Sequence, residues 1–124
     1  MGKIKLREIL KSNDEDIDIK INGILNKNKI IYKENDIKVT IAVLSNKILM
    51  NRLHKNYEID FTFEKGKTTY AIYKLKDYNK EFKLTIKTTK LDIDEKSISI
   101  NYRLEEELFS FKLEIGGSYD NWYT

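Results

Sequence analysis

Few residues of this chain have types and spacings that could support catalysis. The one histidine, His54, lies in "NRLHKNY", and the sequence contains no cysteine. A lone histidine in a predicted loop is usually solvated rather than a general base, and the lack of cysteine excludes thiol nucleophiles. An unrecognised enzymatic site would require four polar side chains to converge within hydrogen-bonding distance, namely Arg52, His54, Tyr73 and Glu34. We therefore expect no catalytic residues and a protein that is not an enzyme.

Two short acidic motifs could suggest a metal site. The segments "DIDIK" and "DIDEK" each carry two acids two positions apart, a spacing that puts both carboxylates on one face of a strand. That pattern is typical of a solvent-facing strand, and a metal site here would lack support from cysteine or helically spaced histidine. No glycine-rich phosphate-binding loop is present. We expect neither a metal nor a cofactor.

Arg52 is the polar residue best placed to serve a binding site, because it follows shortly after an apolar run at residues 48–50. Two roles remain open. The guanidinium could cap one end of a folded barrel by bonding loop carbonyls while its stem packs on aromatic rings. It could instead point inward and hold the carboxylate or phosphate of a ligand.

Aromatic side chains supply the rest of a candidate site. Tyrosine and phenylalanine recur at alternate positions in the strands predicted below, so their rings would meet in a common interior. Such an interior could be a packed core, or it could enclose one small ligand with tyrosine hydroxyls orienting it. Both alternatives stay open. The candidate ligand-binding residues are Arg52, Tyr57, Phe61, Tyr73, Tyr102 and Phe111.

The elements that would position these residues are β-strands. Apolar and polar residues alternate with period two in nearly every segment, as in "YEIDFTF" at 57–63, and this alternation predicts half-buried strands. The connections are too short for parallel crossovers, so successive strands must pair antiparallel. We predict an all-β fold, a single antiparallel meander that closes into a barrel. Only "KLREILKSNDE" at 5–15 is ambiguous between strand and helix, and Asn22-Gly23 is a candidate bulge.

Several of these segments resemble the YwiB-like family of small bacterial proteins. The similarity lies in "IIYKENDIKVTIAVLSNKILMNR", in a Phe-x-x-Gly-x-Thr-Thr-x-x-x-Tyr hairpin within "YEIDFTFEKGKTTYAIY", and in "LTIKTTKL" and "SISINYRL". The resemblance implies a lipocalin-like, calycin-type barrel of about 8–10 strands, with no assigned biochemical role. Where relatives tend to have a Pro-Tyr-Gly-like turn, this chain has "KDYNKEF". The matching residues are Tyr32, Glu34, Arg52, Phe63, Gly66, Thr68, Thr69, Tyr73, Thr88 and Tyr102.

Length and composition fit one small domain. The chain has 124 residues, enough for one core without disulfides. We predict a β-barrel domain at 1–115 and a flexible aromatic tail at 116–124, which contains Tyr119, Trp122 and Tyr123. The lack of cysteine fits a reducing compartment, and no apolar run is long enough for a signal peptide or membrane helix. We therefore expect a cytoplasmic protein with no membrane partner.

Charge is divided unevenly along the second half of the chain. Residues 65–90 contain eight lysines and two acids, a net of +6, whereas residues 91–124 contain eight acids and three basic residues, a net of −5. The basic block could bind RNA or an acidic protein. Alternatively, the two blocks could lie side by side and pair across the sheet.

The functional prediction is non-enzymatic binding of a small hydrophobic or amphipathic molecule inside the barrel. The alternative is an interaction module that binds RNA or an acidic protein through the basic 65–90 surface. Nucleic acid is the less favoured of these partners, because a stacking platform for bases is not evident in the sequence. Association of two copies into a homodimer is left open.

Overall fold

The computed structural model describes residues 2–116, which form ten β-strands joined by short turns. The predicted aromatic tail lies outside these residues except for Gly116. Within the described range, no helix is long and apolar enough to cross a membrane. The strands are β1 (Gly2–Lys11), β2 (Asp16–Asn26), β3 (Lys29–Glu34), β4 (Ile37–Val43), β5 (Ile48–Leu53), β6 (Tyr57–Phe63), β7 (Thr68–Leu75), β8 (Lys80–Ile93), β9 (Ser97–Leu104) and β10 (Glu107–Ile115).

Every strand pairs antiparallel with its neighbour in the sequence, and β1 pairs with β10 to close the barrel. The prediction of an all-β antiparallel meander barrel is therefore confirmed, at the upper end of the predicted strand number. Closure follows from the alternating pattern, because a single sheet with one apolar face can bury that face by curling on itself.

The turns also agree with the sequence patterns. Gly66 has φ of 76° in the β6–β7 turn, and four non-glycine turn residues also adopt positive φ. Asparagine tolerates this left-handed conformation better than most residues, so its occurrence at two of the four positions lowers the local backbone energy. The four non-glycine residues are Lys27, Asn35, Asn79 and Glu105.

The segment 5–15, ambiguous in sequence, forms β1 as far as Lys11 and then the turn that leads into β2. The alternate residues Ile4, Leu6 and Leu10 of β1 point into the barrel and are buried. Glu8 occupies the inward position between Leu6 and Leu10 and is also buried. A charged residue on the apolar face interrupts the alternation, which is why the sequence pattern alone is compatible with a helix.

Gly23 is needed for close packing rather than for a bulge. The β1–β2 register runs without interruption past Ile4↔Gly23, so the predicted bulge at Asn22-Gly23 does not occur. A Cβ atom on Gly23 would lie 2.5 Å from Cδ1 of Leu6 and 3.0 Å from the carbonyl oxygen of Ile31. The bulge lies in β8 instead, where the register with β9 shifts between Thr88 and Lys90.

Only part of β2 is paired with a strand on both of its edges. Residues Gly23–Asn26 pair with β3, whereas the described pairs of residues 16–22 are all with β1. The barrel wall therefore has a seam between the first half of β2 and the end of β3. Asp16, Asp18 and Lys20 point outward along this seam and are exposed.

Side chains fill one half of the barrel. Ile48 pairs with Phe63, and Ile98 with Leu113, close to the β4–β5, β6–β7 and β8–β9 turns, and all four side chains are at most 1% exposed. Close packing of such apolar groups is the main source of folding free energy. This packed half supports the strands that continue to the other end of the barrel.

Candidate functional site

The opposite end of the barrel contains a cavity of about 430 Å³. This volume lies within the range of roughly 300–1,000 Å³ that small-molecule sites occupy. Its walls come from β1 to β6, β9 and β10, near the β1–β2, β3–β4 and β5–β6 turns. The lining residues are Leu10, Glu15, Ile17, Glu34, Asn35, Ile37, Met50, Arg52, Tyr57, Ile59, Phe61, Tyr102, Leu104, Phe109 and Phe111.

Five of the six candidate ligand-binding residues line this cavity: Arg52, Tyr57, Phe61, Tyr102 and Phe111. The sixth, Tyr73, is not among the lining residues, but its ring stacks on that of Tyr57 with centroids 5.5 Å apart. Alternation explains this convergence, because each residue occupies an inward position of its strand. Of the two alternatives left open for the interior, each applies to part of it, because one half of the barrel is packed and the other is hollow.

Arg52 points inward, but it does not extend freely into the cavity. Its Nη2 donates to Oε1 of Glu34 at 2.7 Å, and its Nη1 lies 3.6 Å from Oε1 of Glu8. The Arg52 side chain is only 12% exposed. Its charge is therefore matched by carboxylates of the protein, an arrangement that differs from both predicted roles, carbonyl capping and ligand-anion binding.

Glu8 completes this polar cluster and is the residue that sequence reasoning missed. It is fully buried, and its Oε1 accepts a hydrogen bond of 2.7 Å from the Tyr32 hydroxyl. Tyr32 and Glu34 enter the sequence interpretation only through the family resemblance and the enzymatic alternative. The available signal for Glu8 is its position between Leu6 and Leu10, because an acid on the apolar face of a strand must find a partner inside. We call Glu8, Tyr32, Glu34 and Arg52 the internal polar cluster.

The two glutamates of the cluster differ in their affinity for protons. The pKa of Glu8 is raised to about 8, chiefly by burial and next by the hydrogen bond and negative charge of Glu34, while Tyr32 and Arg52 oppose the increase. Burial alone would raise the pKa of Glu34, but its hydrogen bond with Glu8 and the charge of Arg52 lower the pKa below its usual value. At neutral pH the cluster is therefore a protonated Glu8 beside a Glu34–Arg52 ion pair.

Protonation of Glu8 also accounts for one of its oxygen atoms that lacks a hydrogen-bond partner. Oε2 of Glu8 is buried and accepts no hydrogen bond from the residues that the structure describes. Two adjacent carboxyl groups are stable when they share one proton. A proton on Glu8 directed toward Glu34 provides the missing hydrogen bond.

His54 lies beside the cavity rather than in it. Its ring stacks on Tyr57 with centroids 4.7 Å apart, and its Nδ1 accepts the backbone N–H of Asn56 at 3.1 Å. Of the four side chains that an enzymatic site would require, Arg52 and Glu34 are in contact, whereas the rings of His54 and Tyr73 both stack on Tyr57. No three His, Asp or Glu side chains in residues 2–116 are grouped to hold a metal ion.

Among the described residues, the basic block at 65–90 forms no ion pair across the sheet with the acidic block. Its one described ion pair with an acid of that block joins Lys90 to Asp92 on the same strand. Lys87 instead lies directly opposite Arg103 in the β8–β9 register. Nearby on the outer face, Nζ of Lys83 lies 4.0 Å above the exposed ring of Tyr70. The outer surface of β7–β9 therefore concentrates positive charge.

Comparison with known proteins agrees with the resemblance seen in the sequence. The family described as "Domain of unknown function (DUF1934)" matches residues 3–114. Among solved structures, the chain is similar to the crystal structure of the ywiB protein from Bacillus subtilis, with a TM-score of 0.67 and 21% sequence identity over 94% of this chain and 90% of that one. At this identity the likeness shows the fold. The search of curated proteins gives no match.

Proposed function

The chain belongs to the DUF1934 family, and from that starting point we propose that its barrel is a non-enzymatic binding protein for a small hydrophobic or amphipathic molecule. The observation that carries this proposal is the cavity of about 430 Å³ at one end of a barrel whose other end is packed. A core selected only for stability would be filled, because empty apolar space costs free energy.

The composition of the cavity wall supports an amphipathic ligand. Aromatic and aliphatic side chains form most of the lining, with Phe109 stacked on Tyr102 at a centroid separation of 5.1 Å. Polar groups of the lining belong to Arg52 and Glu34 of the internal polar cluster, to the hydroxyls of Tyr57 and Tyr102, and to Glu15 and Asn35 at the rim. Sites with this division bind the apolar body of a ligand by burial and orient it through a few polar contacts.

The internal polar cluster supports a binding role over a catalytic one. Arg52 and the two glutamates bond with one another, so their charges are already matched within the protein. A catalytic acid, base or nucleophile must instead direct an available group toward the reacting atoms.

An uncharged fluorescent probe tests the binding proposal. We expect Nile red to bind with one saturable site and a blue-shifted emission, because its rings would leave water for the aromatic lining. The variant Leu104→Trp places a larger side chain in the cavity wall and should abolish this signal. The matched control is Leu108→Trp, since Leu108 lies four positions away in the sequence, points outward and is 61% exposed.

Two results would contradict the proposal. One is a lack of saturable Nile red binding by the folded parent protein. The other is an equal loss of signal in Leu104→Trp and Leu108→Trp, since that would place the dye on the outer surface. Circular dichroism of both variants establishes that the barrel is intact in each comparison.

A second candidate function is binding of single-stranded RNA by the outer surface of β7–β9. The observation that favours it is the placement of Lys87 opposite Arg103, because two exposed positive charges lie side by side where phosphates can reach them. Tyr70 and Lys83 add an aromatic ring and a further positive charge beside this pair.

Salt dependence tests the RNA candidate. A surface that neutralises about three phosphates should give a slope near −2 in a plot of log affinity against log salt, because counterions are released on binding. Lys87→Ala/Arg103→Ala should flatten this slope for an oligouridine, whereas Lys33→Ala/Lys38→Ala, another pair of opposed lysines, should not. A flat response in the parent, or tighter binding of polyglutamate than of oligouridine, would reject RNA as the partner.

A further inference from the structure

We propose that the cavity selects an organic cation, a molecule with an apolar body and a protonated amine or quaternary ammonium group. The inference rests on the proposed binding function and specifies the chemical class of the ligand. It follows from the placement of acidic groups around the cavity, from a buried carboxylate oxygen of Glu107 that accepts no hydrogen bond from residues 2–116, and from the aromatic wall.

Acidic side chains outnumber basic ones at this end of the barrel. Glu15 and Glu34 line the cavity, and Arg52 is the one basic residue of the lining. Glu8 is protonated at neutral pH and adds no charge, whereas Glu107 shares the inward face of β10 with Phe109 and Phe111. The excess of acids contrasts with the formal charge of +3 of the whole chain, so the local field favours a cation.

The pKa values of the tyrosines in the cavity wall reflect the charge of these acids. Burial raises the pKa of Tyr102 above its usual value, Arg52 opposes this increase, and the charges of Glu107 and Glu15 add to it. Burial likewise raises the pKa of Tyr57, with Arg52 lowering it and Glu34 and Glu15 among the charges that raise it. Rim and interior acids therefore act on the space that a ligand would occupy.

Two carboxylate oxygens in this region are buried without a donor from residues 2–116: Oε2 of Glu8 and Oε2 of Glu107. A buried acceptor without a donor costs free energy comparable to a lost hydrogen bond. For Glu8 a proton shared with Glu34 satisfies the atom. Glu107 has no acidic or basic contact of this kind among the described residues, and an ammonium N–H from a ligand would supply the donor.

Arg52 does not offset this preference. Its guanidinium is 2.7 Å from Glu34 and 3.6 Å from Glu8, so an incoming carboxylate would compete with two resident carboxyl groups. A ligand anion would also approach Glu15 at the rim. Each like-charge contact in a site shielded from water is repulsive.

The aromatic wall suits the same class of ligand. Tyr57, Phe61, Tyr102, Phe109 and Phe111 present their rings to the cavity. The negative faces of such rings attract ammonium groups as well as packing against apolar bodies. Acids set the sign of the preferred charge, and the rings provide contact area for the rest of the molecule.

A matched ligand series tests the inference. The compounds 4-phenylbutylamine, 4-phenylbutanol and 4-phenylbutyrate differ mainly in charge, and at pH 7 the amine is protonated and the acid ionised. We expect the amine to displace Nile red at a concentration at least about tenfold below that of the carboxylate, with the alcohol between them. Isothermal titration calorimetry on the full chain provides the dissociation constants.

Charge-neutralising variants locate the effect. Glu15→Gln/Glu107→Gln should reduce the amine-to-carboxylate preference by about threefold or more while leaving affinity for the alcohol unchanged. The control is Glu95→Gln/Asp92→Asn, which removes two exposed acids from the opposite half of the barrel and should leave the preference unchanged.

The outcomes separate this inference from the binding proposal on which it rests. If Nile red binds and the carboxylate displaces it as well as or better than the amine, selection of a cation is wrong and the binding function stands. An equal loss of preference in both double variants would also overturn the inference, because the effect would then come from overall charge. If neither Nile red nor any of the three compounds binds, both proposals are wrong.

Discussion

Replacing Arg52 by alanine should destabilise the barrel by about 3–5 kcal/mol, because it leaves the Glu34 carboxylate buried without its cation. Glu34 is 4% exposed, and Arg52 provides its described ion pair at 2.7 Å. Chemical denaturation at pH 7.5, followed by circular dichroism, measures this loss.

The loss should depend on pH. The pKa of Glu34 is lowered in the folded parent in part by the charge of Arg52, so removing Arg52 allows Glu34 to take up a proton more easily. Protonation relieves the buried charge, and the destabilisation should shrink as pH falls toward 4.5. A deficit that is the same at pH 4.5 and pH 7.5 would show that lost packing of the arginine stem, rather than charge, is responsible.

Two further variants identify the cause. Arg52→Met/Glu34→Gln removes both charges and keeps the side-chain volumes, so it should recover most of the stability that Arg52→Ala loses. Arg7→Ala removes an arginine that forms a comparable pair with Asp18 at 2.8 Å, but on the exposed surface. We expect its effect to be small, because solvent and salt screen exposed pairs.

Replacing Glu8 by glutamine should stabilise the protein increasingly as pH rises. Glutamine mimics a protonated glutamate, since it can accept from Tyr32 and donate to Glu34, the two groups that Glu8 contacts. Near pH 5 the variant and the parent should be about equally stable. By pH 8.5 the variant should be more stable by about 4 kcal/mol, because between these pH values the unfolded parent releases the Glu8 proton far more readily than the folded parent does.

The sign follows from proton linkage. The folded state raises the pKa of Glu8 to about 8, whereas an unfolded glutamate titrates near ~4.3. Between these values the folded chain holds a proton that the unfolded chain has released, so the free energy of unfolding of the parent decreases with rising pH and levels off above pH 8. Glu34, whose pKa is lowered, acts in the opposite direction and loses its contribution only on the acidic side.

Urea denaturation of parent and Glu8→Gln at half-unit intervals from pH 4.5 to 9 measures this difference. A constant difference in unfolding free energy across that range would show that Glu8 titrates alike in both states. Lys11→Gln, an exposed change at the end of the same strand, controls for effects of net charge.

Much of the fold could be predicted because the alternation of apolar and polar residues within each strand shows which side chains point inward. Residues 57–63, for example, alternate so regularly that Phe61 and Phe63 had to lie on one face, and both are buried. The course of β1 could not be predicted with equal ease, because Glu8 occupies a position where the alternation requires an apolar residue. Gly23 misleads for a similar reason, since glycine can serve a turn, a bulge or a close approach, and here it allows Leu6 to approach the backbone.

The aromatic residues that line the cavity could be predicted from the sequence, whereas the contacts within the internal polar cluster could not. Inward aromatic positions follow from period two within one strand, which is why Tyr57, Tyr102 and Phe111 meet as expected. The contact between Glu8 and Arg52 depends instead on how β1, β3 and β5 curl toward one another across the barrel. That curvature is a property of the whole sheet, and no local pattern of the sequence contains it.

Among the described residues, the seam beside β2 leaves a row of backbone groups without a strand partner in an otherwise continuous wall. Such a row can recruit an extended segment of another molecule and so begin aggregation. Asp16, Asp18 and Lys20 stand along it with exposed charges, and an incoming strand would have to strip water from them. The barrel can therefore keep a gap in its wall while resisting the growth of intermolecular sheets.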